Sequence, residues 1–77
     1  MQEKRTNTTF AICISNTDYA AALEKRKIYQ VLPDDQAAAH GLVRIIDESG
    51  EDYLYPTTYF IPIDFPPTIQ DALLQAA

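Results

Sequence analysis

At 77 residues the chain has room for one domain, and a hydrophobic fraction of 47% argues against disorder. Its net charge is -5 and unevenly spread: residues 1–33 hold five of the six basic residues, and from residue 34 onward eight acids face one base, Arg44. An acidic body is a poor match for a phosphate backbone, which is gripped by clustered Lys and Arg.

The single cysteine, Cys13, rules out an intramolecular disulfide. Set among Ala11, Ile12 and Ile14, it reads as a small strand residue in or beside the core. MQEKRTNTT has no apolar signal region, and no run approaches the ~20 apolar residues of a membrane span. The expectation is a cytoplasmic, reduced protein without a membrane segment. A domain this small buries only about 60% of its unfolded surface. Enclosing a large cofactor would draw apolar side chains from a thin core, and none is expected.

Residues 1–7 are polar and aperiodic, a flexible tail before a single domain over 8–77. Residues 8–15 (TTFAICIS) alternate as a first strand, with Phe10, Ile12 and Ile14 on one face. Ala11, Cys13 and Ser15 share the other, a face small enough to be partly covered by another element. Residues 16–27 are ambiguous. Tyr19 to Glu24 favour helix, with Asn16 or Thr17 as a cap, yet the stretch joins two strands. The reading is an irregular loop with at most one helical turn, Leu23 folding back onto the core.

Residues 27–32 (KIYQVL) form a second strand, with Tyr29 and Val31 on one face, ended by Pro33. Asp34 then caps a short helix over 35–40, with Gly41 at the C′ position. His40 sits at the negative end of that helix, which explains the only histidine better than catalysis does.

Residues 42–47 and 51–55 pair as a hairpin around an acidic tip, with Arg44 facing water and Val43 and Ile45 facing inward. Tyr53 and Tyr55 share one face of the second strand and Leu54 takes the other. Which of these is core depends on a register that one residue of slip would invert. Pro56 to Tyr59 reads as a turn or a single 3₁₀ turn. Residues 60–63 make a last strand that Pro62 confines to an edge. After the extended corner of Phe65-Pro66-Pro67, residues 67–76 carry Ile69, Ala72, Leu73 and Ala76 on one stripe, a short amphipathic helix expected to dock on the body. Thr68 and Asp71 have capping-box spacing, which would start that helix one residue later.

The order of elements is strand, long loop, strand, short helix, hairpin, proline turn and short strand. It resembles a Src-homology-3-like barrel, so the expected class is mainly β: a five-stranded barrel with a short helix before the central hairpin and a C-terminal helix. More closely, the chain is similar to a group of small bacterial and phage proteins of uncharacterised function. The likeness rests on CISN at 13–16, KIYQVL at 27–32, RIID at 44–47 and SGEDYLYP at 49–56, with Tyr19, Leu23, Asp34 and Phe60. It spans roughly residues 10–63 and implies a fold but no activity. Two departures are the insertion over 34–40 and Arg26, which stands where a turn glycine is common.

Three surfaces are candidates. Asp47, Glu48, Glu51 and Asp52 are hard-cation ligands in type, but they lack the register of a calcium loop and read first as a solvated hairpin tip. Tyr19, Tyr53 and Tyr59 suit a surface for an extended or proline-rich peptide, while Tyr29 and Tyr55 read as core. Lys25, Arg26 and Lys27 are the only start of a basic patch and read first as a solvated loop. No nucleophile elbow, phosphate loop or metal-spaced Cys/His set occurs, so no enzyme activity and no metal are expected. The expectation is a protein-interaction or adaptor module, monomeric or weakly dimeric, whose partner is another protein or peptide contacted through the tyrosines and the acidic hairpin. Nucleic-acid binding through Lys25–Lys27 is the first alternative, and a structural subunit docking through Ile69 and Leu73 is the second.

Overall fold

In the computed structural model, which describes residues 9–76, the chain forms five antiparallel strands, two α-helices and a 3₁₀ turn. They are β1 (Thr9–Cys13), β2 (Ile28–Leu32), α1 (Asp35–Ala39), β3 (Leu42–Ile46), β4 (Asp52–Pro56), the turn Thr57–Tyr59, β5 (Phe60–Ile63) and α2 (Pro67–Ala76). The expected tail over residues 1–7 and the expected strand start at Thr8 lie outside the described residues.

One sheet holds all five strands in the order β4-β3-β2-β1-β5. The expected closed barrel is therefore an open sheet, with β4 and β5 as its two edges. Each edge strand carries a proline, Pro56 at the end of β4 and Pro62 within β5, with no N–H to donate to a further strand at that position. The edges meet through side chains instead, with the Tyr55 and Phe60 rings 6.2 Å apart.

Ala11, Cys13, Leu23, Tyr29, Ile45, Tyr55 and Phe60 form the core, with Val31, Val43 and Tyr59 packed against it. Leu23 does return from the long loop, and it is fully buried. The face of β1 that enters this core is the small one. Tyr29, Tyr55 and Phe60 fill the interior, so the strand between β2 and β5 fits there only with Ala11 and Cys13. The larger face points outward. Phe10 is buried there beneath Phe65, ring centroids 5.9 Å apart, whereas Ile14 is exposed.

Helix α1 follows its local signals. Asp34 Oδ1 accepts from the Ala37 amide at 3.0 Å, His40 is the C-cap residue, and Gly41 closes the turn at φ 72°. Helix α2 begins at Pro67 rather than Thr68, with the Pro66 carbonyl accepting from the Ile69 and Gln70 amides at 3.0 Å each. Its expected docking is only partial. It buries no residue; Leu73 is half-buried over the outer face of the sheet near Phe10 and Ile28, and Ile69 stays exposed. Among the described residues, no helix is long and apolar enough to cross a membrane.

Candidate functional site

The tyrosines divide into three groups. Tyr29 and Tyr55 are core residues, 5% and 3% exposed. A buried phenol needs a partner for its hydroxyl, and both find a carboxylate at the start of the β3–β4 connection. Tyr55 Oη donates to Asp47 Oδ2 at 2.6 Å, and Tyr29 Oη donates to Glu48 Oε2 at 2.6 Å. Burial, reinforced by these bonds to carboxylates, pushes both phenols well above the ordinary tyrosine range.

Tyr19 and Tyr59 form the second group. The long loop over 16–27 opens with a turn in which the Tyr19 amide donates to the Asn16 carbonyl at 2.8 Å, with Asp18 at φ 71°. Asp tolerates that left-handed angle better than most residues. A single helical turn follows, closed by Leu23 N–H to Tyr19 C=O at 2.9 Å, and Asn16 Nδ2 donates to the Leu23 carbonyl at 3.0 Å. Tyr19 is thereby set edge-on against Tyr55 at 5.0 Å and beside Tyr59 at 6.1 Å. Tyr59 comes from the 3₁₀ turn, and its hydroxyl donates to the Thr17 carbonyl at 3.1 Å. Its own carbonyl accepts from the Ile14 amide at 2.8 Å. The long loop, the end of β1 and the proline turn are thus fastened together beneath a two-ring surface, with Tyr19 39% exposed.

Tyr53 stands apart. It lies on the same nominal face of β4 as Tyr55, but beyond the core at the hairpin end, 52% exposed. Its hydroxyl reaches Glu51 Oε1 at 3.4 Å.

The acidic tip is solvated at Glu48, Glu51 and Asp52, as its sequence suggests, but not at Asp47. Asp47 is only 6% exposed, and its Oδ1 accepts from the Ser49 amide at 2.9 Å and the Ser49 hydroxyl at 2.6 Å. Burial pushes its carboxyl up, but the bonds from Ser49 and Tyr55 outweigh this and hold it below the ordinary range. Glu48 lies in contact with Lys27 Nζ at 2.7 Å. That bond first, and the one from Tyr29 second, keep its carboxyl low. The Glu48 amide also donates to the Ala22 carbonyl at 3.0 Å, so Glu48 latches the long loop. Asp52 pairs with Arg44 Nη1 at 2.9 Å, and the same guanidinium holds Asp34 Oδ2 through Nη2 at 2.8 Å. Two of the four acids, Asp47 and Glu51, have no base beside them among the described residues; Asp47 is held by Ser49 and Tyr55 instead, and Glu51 stands exposed. The described residues also contain no group of three acidic, His or Cys side chains able to hold a metal.

Sequence reasoning found the residues but not their pairings. The usable signal was that an inward Tyr must satisfy its hydroxyl, and that Asp47 and Glu48 are the nearest acceptors once the hairpin register is known. Of the three bases, Lys27 is committed to Glu48, while Lys25 and Arg26 line a shallow depression with Ile12, Cys13 and Ile14. No family model, no curated protein and no solved structure matches this chain.

Proposed function

We propose that this chain is a protein-interaction module, an adaptor without catalytic activity, that takes an extended segment of another protein across Tyr19 and Tyr59. The observation that carries this reading is the pre-positioned ring pair, 6.1 Å between centroids, resting on buried Tyr55. Flat rings held in place bury much area on binding with little loss of side-chain freedom. Asp18, exposed beside Tyr19, and the acidic second half of the chain favour a partner carrying Lys or Arg.

The strand order and the long first loop support the likeness to Src-homology-3-like barrels, in which aromatic surfaces commonly receive extended or proline-rich peptides. A cytoplasmic setting belongs to the same proposal. Nucleic-acid binding has less behind it, because Glu48 already occupies one of the three clustered bases.

The test is an amide chemical-shift titration with proline-rich peptides carrying Lys or Arg. Residues 17–20 and 57–59 should shift, and Tyr19→Ala, measured at a temperature where the variant is fully folded, should weaken binding roughly tenfold. Shifts confined to residues 25–27, appearing with oligonucleotides and vanishing at high salt, would count against it.

A further inference from the structure

The two edges of the sheet are not equivalent. On β5 the ladder is phased by the Ile14 amide donating to the Tyr59 carbonyl. Counting in twos, Ile61 and Ile63 exchange bonds with β1, while Phe60 and Pro62 face away from it. Pro62 has no N–H, and the Phe60 N–H is taken by the Thr57 carbonyl. That edge offers no free donor to another strand, as a protected edge should.

On β4 the phase is fixed at both ends. Asp47 N–H donates to Glu51 C=O at 3.1 Å and Thr57 N–H to Gly41 C=O at 3.0 Å. Tyr53 and Tyr55 therefore bond to β3, and the amides and carbonyls of Asp52 and Leu54 point outward. Among the described residues these four groups have no partner. Tyr53 and Leu54, 52% and 40% exposed on opposite faces, flank this open row, and Glu51 and Asp52 stand at its start.

We propose that the open edge of β4 receives an extended, basic polypeptide segment as a sixth strand. Its backbone bonds to Asp52 and Leu54, its alternate side chains pack on Tyr53 and Leu54, and a Lys or Arg meets Glu51. Charge selects the occupant. The partner's base meets Glu51, which has no base beside it among the described residues and only a long contact from the Tyr53 hydroxyl, whereas a second copy would bring another net charge of -5. This goes beyond the Tyr19–Tyr59 reading and does not depend on it, since Tyr53 joins no ring pair with those residues among the described contacts.

The probe is a capped peptide of alternating Lys, Val and Thr, with two controls: Glu in place of Lys, and alternate amides N-methylated. Amide hydrogen exchange at Asp52 and Leu54 should slow roughly tenfold with the Lys peptide and with neither control. Leu54→Pro removes an outward N–H without removing a ladder bond, so it should fold, with residues 52–56 still paired to β3, and lose the protection. Glu51→Gln should weaken the effect several-fold and more so at low salt. Three results would overturn the proposal. The first is Asp52 and Leu54 exchanging freely at saturating Lys peptide. The second is equal protection by the Glu peptide. The third is protection that grows with protein concentration alone, which would identify a second copy. Shifts at Tyr19 and Tyr59 without protection at β4 would leave the tyrosine reading standing and remove only this one.

Discussion

Asp47 takes three hydrogen bonds while almost out of water, one from Tyr55 on Oδ2 and two from Ser49 on Oδ1. Stability should respond asymmetrically to trimming this set. Tyr55→Phe keeps the ring in the core and leaves Oδ2 without its donor, a loss of about 1–3 kcal/mol. Asp47→Ala strands the Tyr55 hydroxyl and also releases the Ser49 turn, so it should cost more than Tyr55→Phe. Tyr53→Phe removes only a long exposed contact and should stay within about 0.5 kcal/mol. Urea unfolding of the three variants checks the order, and equal losses at Tyr53 and Tyr55 would contradict it. These pairings were not legible in the sequence, because residues eight and nineteen apart meet only through the hairpin register and the β2–β3 pairing. What was legible is local: Asp34 as a cap, Gly41 as its counterpart, and Pro62 on an edge each follow from the chemistry of one residue and its neighbours.

Among the elements, the long loop shows where a local rule is broken. Its closing turn runs from Glu24 to Lys27, with Lys27 N–H donating to Glu24 C=O at 3.3 Å and Arg26 in third place at φ 72°. A type II turn normally puts Gly there, and an L-residue in the left-handed region costs about 1–2 kcal/mol. Glycine would relieve that but lose about 0.5–1 kcal/mol more backbone entropy on folding. Arg26→Gly should therefore raise stability by roughly 0.5–1 kcal/mol, read as a higher urea midpoint at unchanged slope, and a lower midpoint would refute the strain. Arg26 was visible in the sequence as an unusual turn residue. The buried face of β1 was not, because alternation separates Phe10, Ile12 and Ile14 from Ala11 and Cys13 without saying which set a curved interior will admit. Size decided it, and size enters only once three aromatic rings have been placed. Helix α2 is the converse case. Its stripe predicted the helix but not how little of it the sheet would cover, and at ten residues it is marginal without that cover.

Over the whole molecule, bases from one half of the chain and acids from the other are drawn together at Lys27–Glu48, while Arg44 bridges Asp34 and Asp52. The pH dependence of stability follows from such contacts. The Asp34 carboxyl is held below its ordinary 3.8 by the Ala37 amide and then by Arg44. Asp47 and Glu48 also lie below their ordinary 3.8 and 4.5. The unfolded chain therefore binds protons at these groups before the folded one does. Their contribution is complete above about pH 5 and is lost as pH falls through and below 4. On the alkaline side the sign reverses. Tyr29 and Tyr55 ionise above their ordinary 10.0 in the fold, and Lys27, bonded to Glu48, above its ordinary 10.5. Their contribution is complete below about pH 9 and is lost as pH rises past 10. Urea midpoints measured from pH 2 to 11 should give a plateau with two falling arms. Repulsion within an acidic chain also grows at high pH, but salt screens it and leaves a buried phenol largely unaffected. The alkaline arm should therefore persist in 1 M salt and flatten in Tyr55→Phe. A stability that keeps rising from pH 7 to 11, or an arm abolished by salt, would mean the two buried tyrosines are not what holds the interior shut.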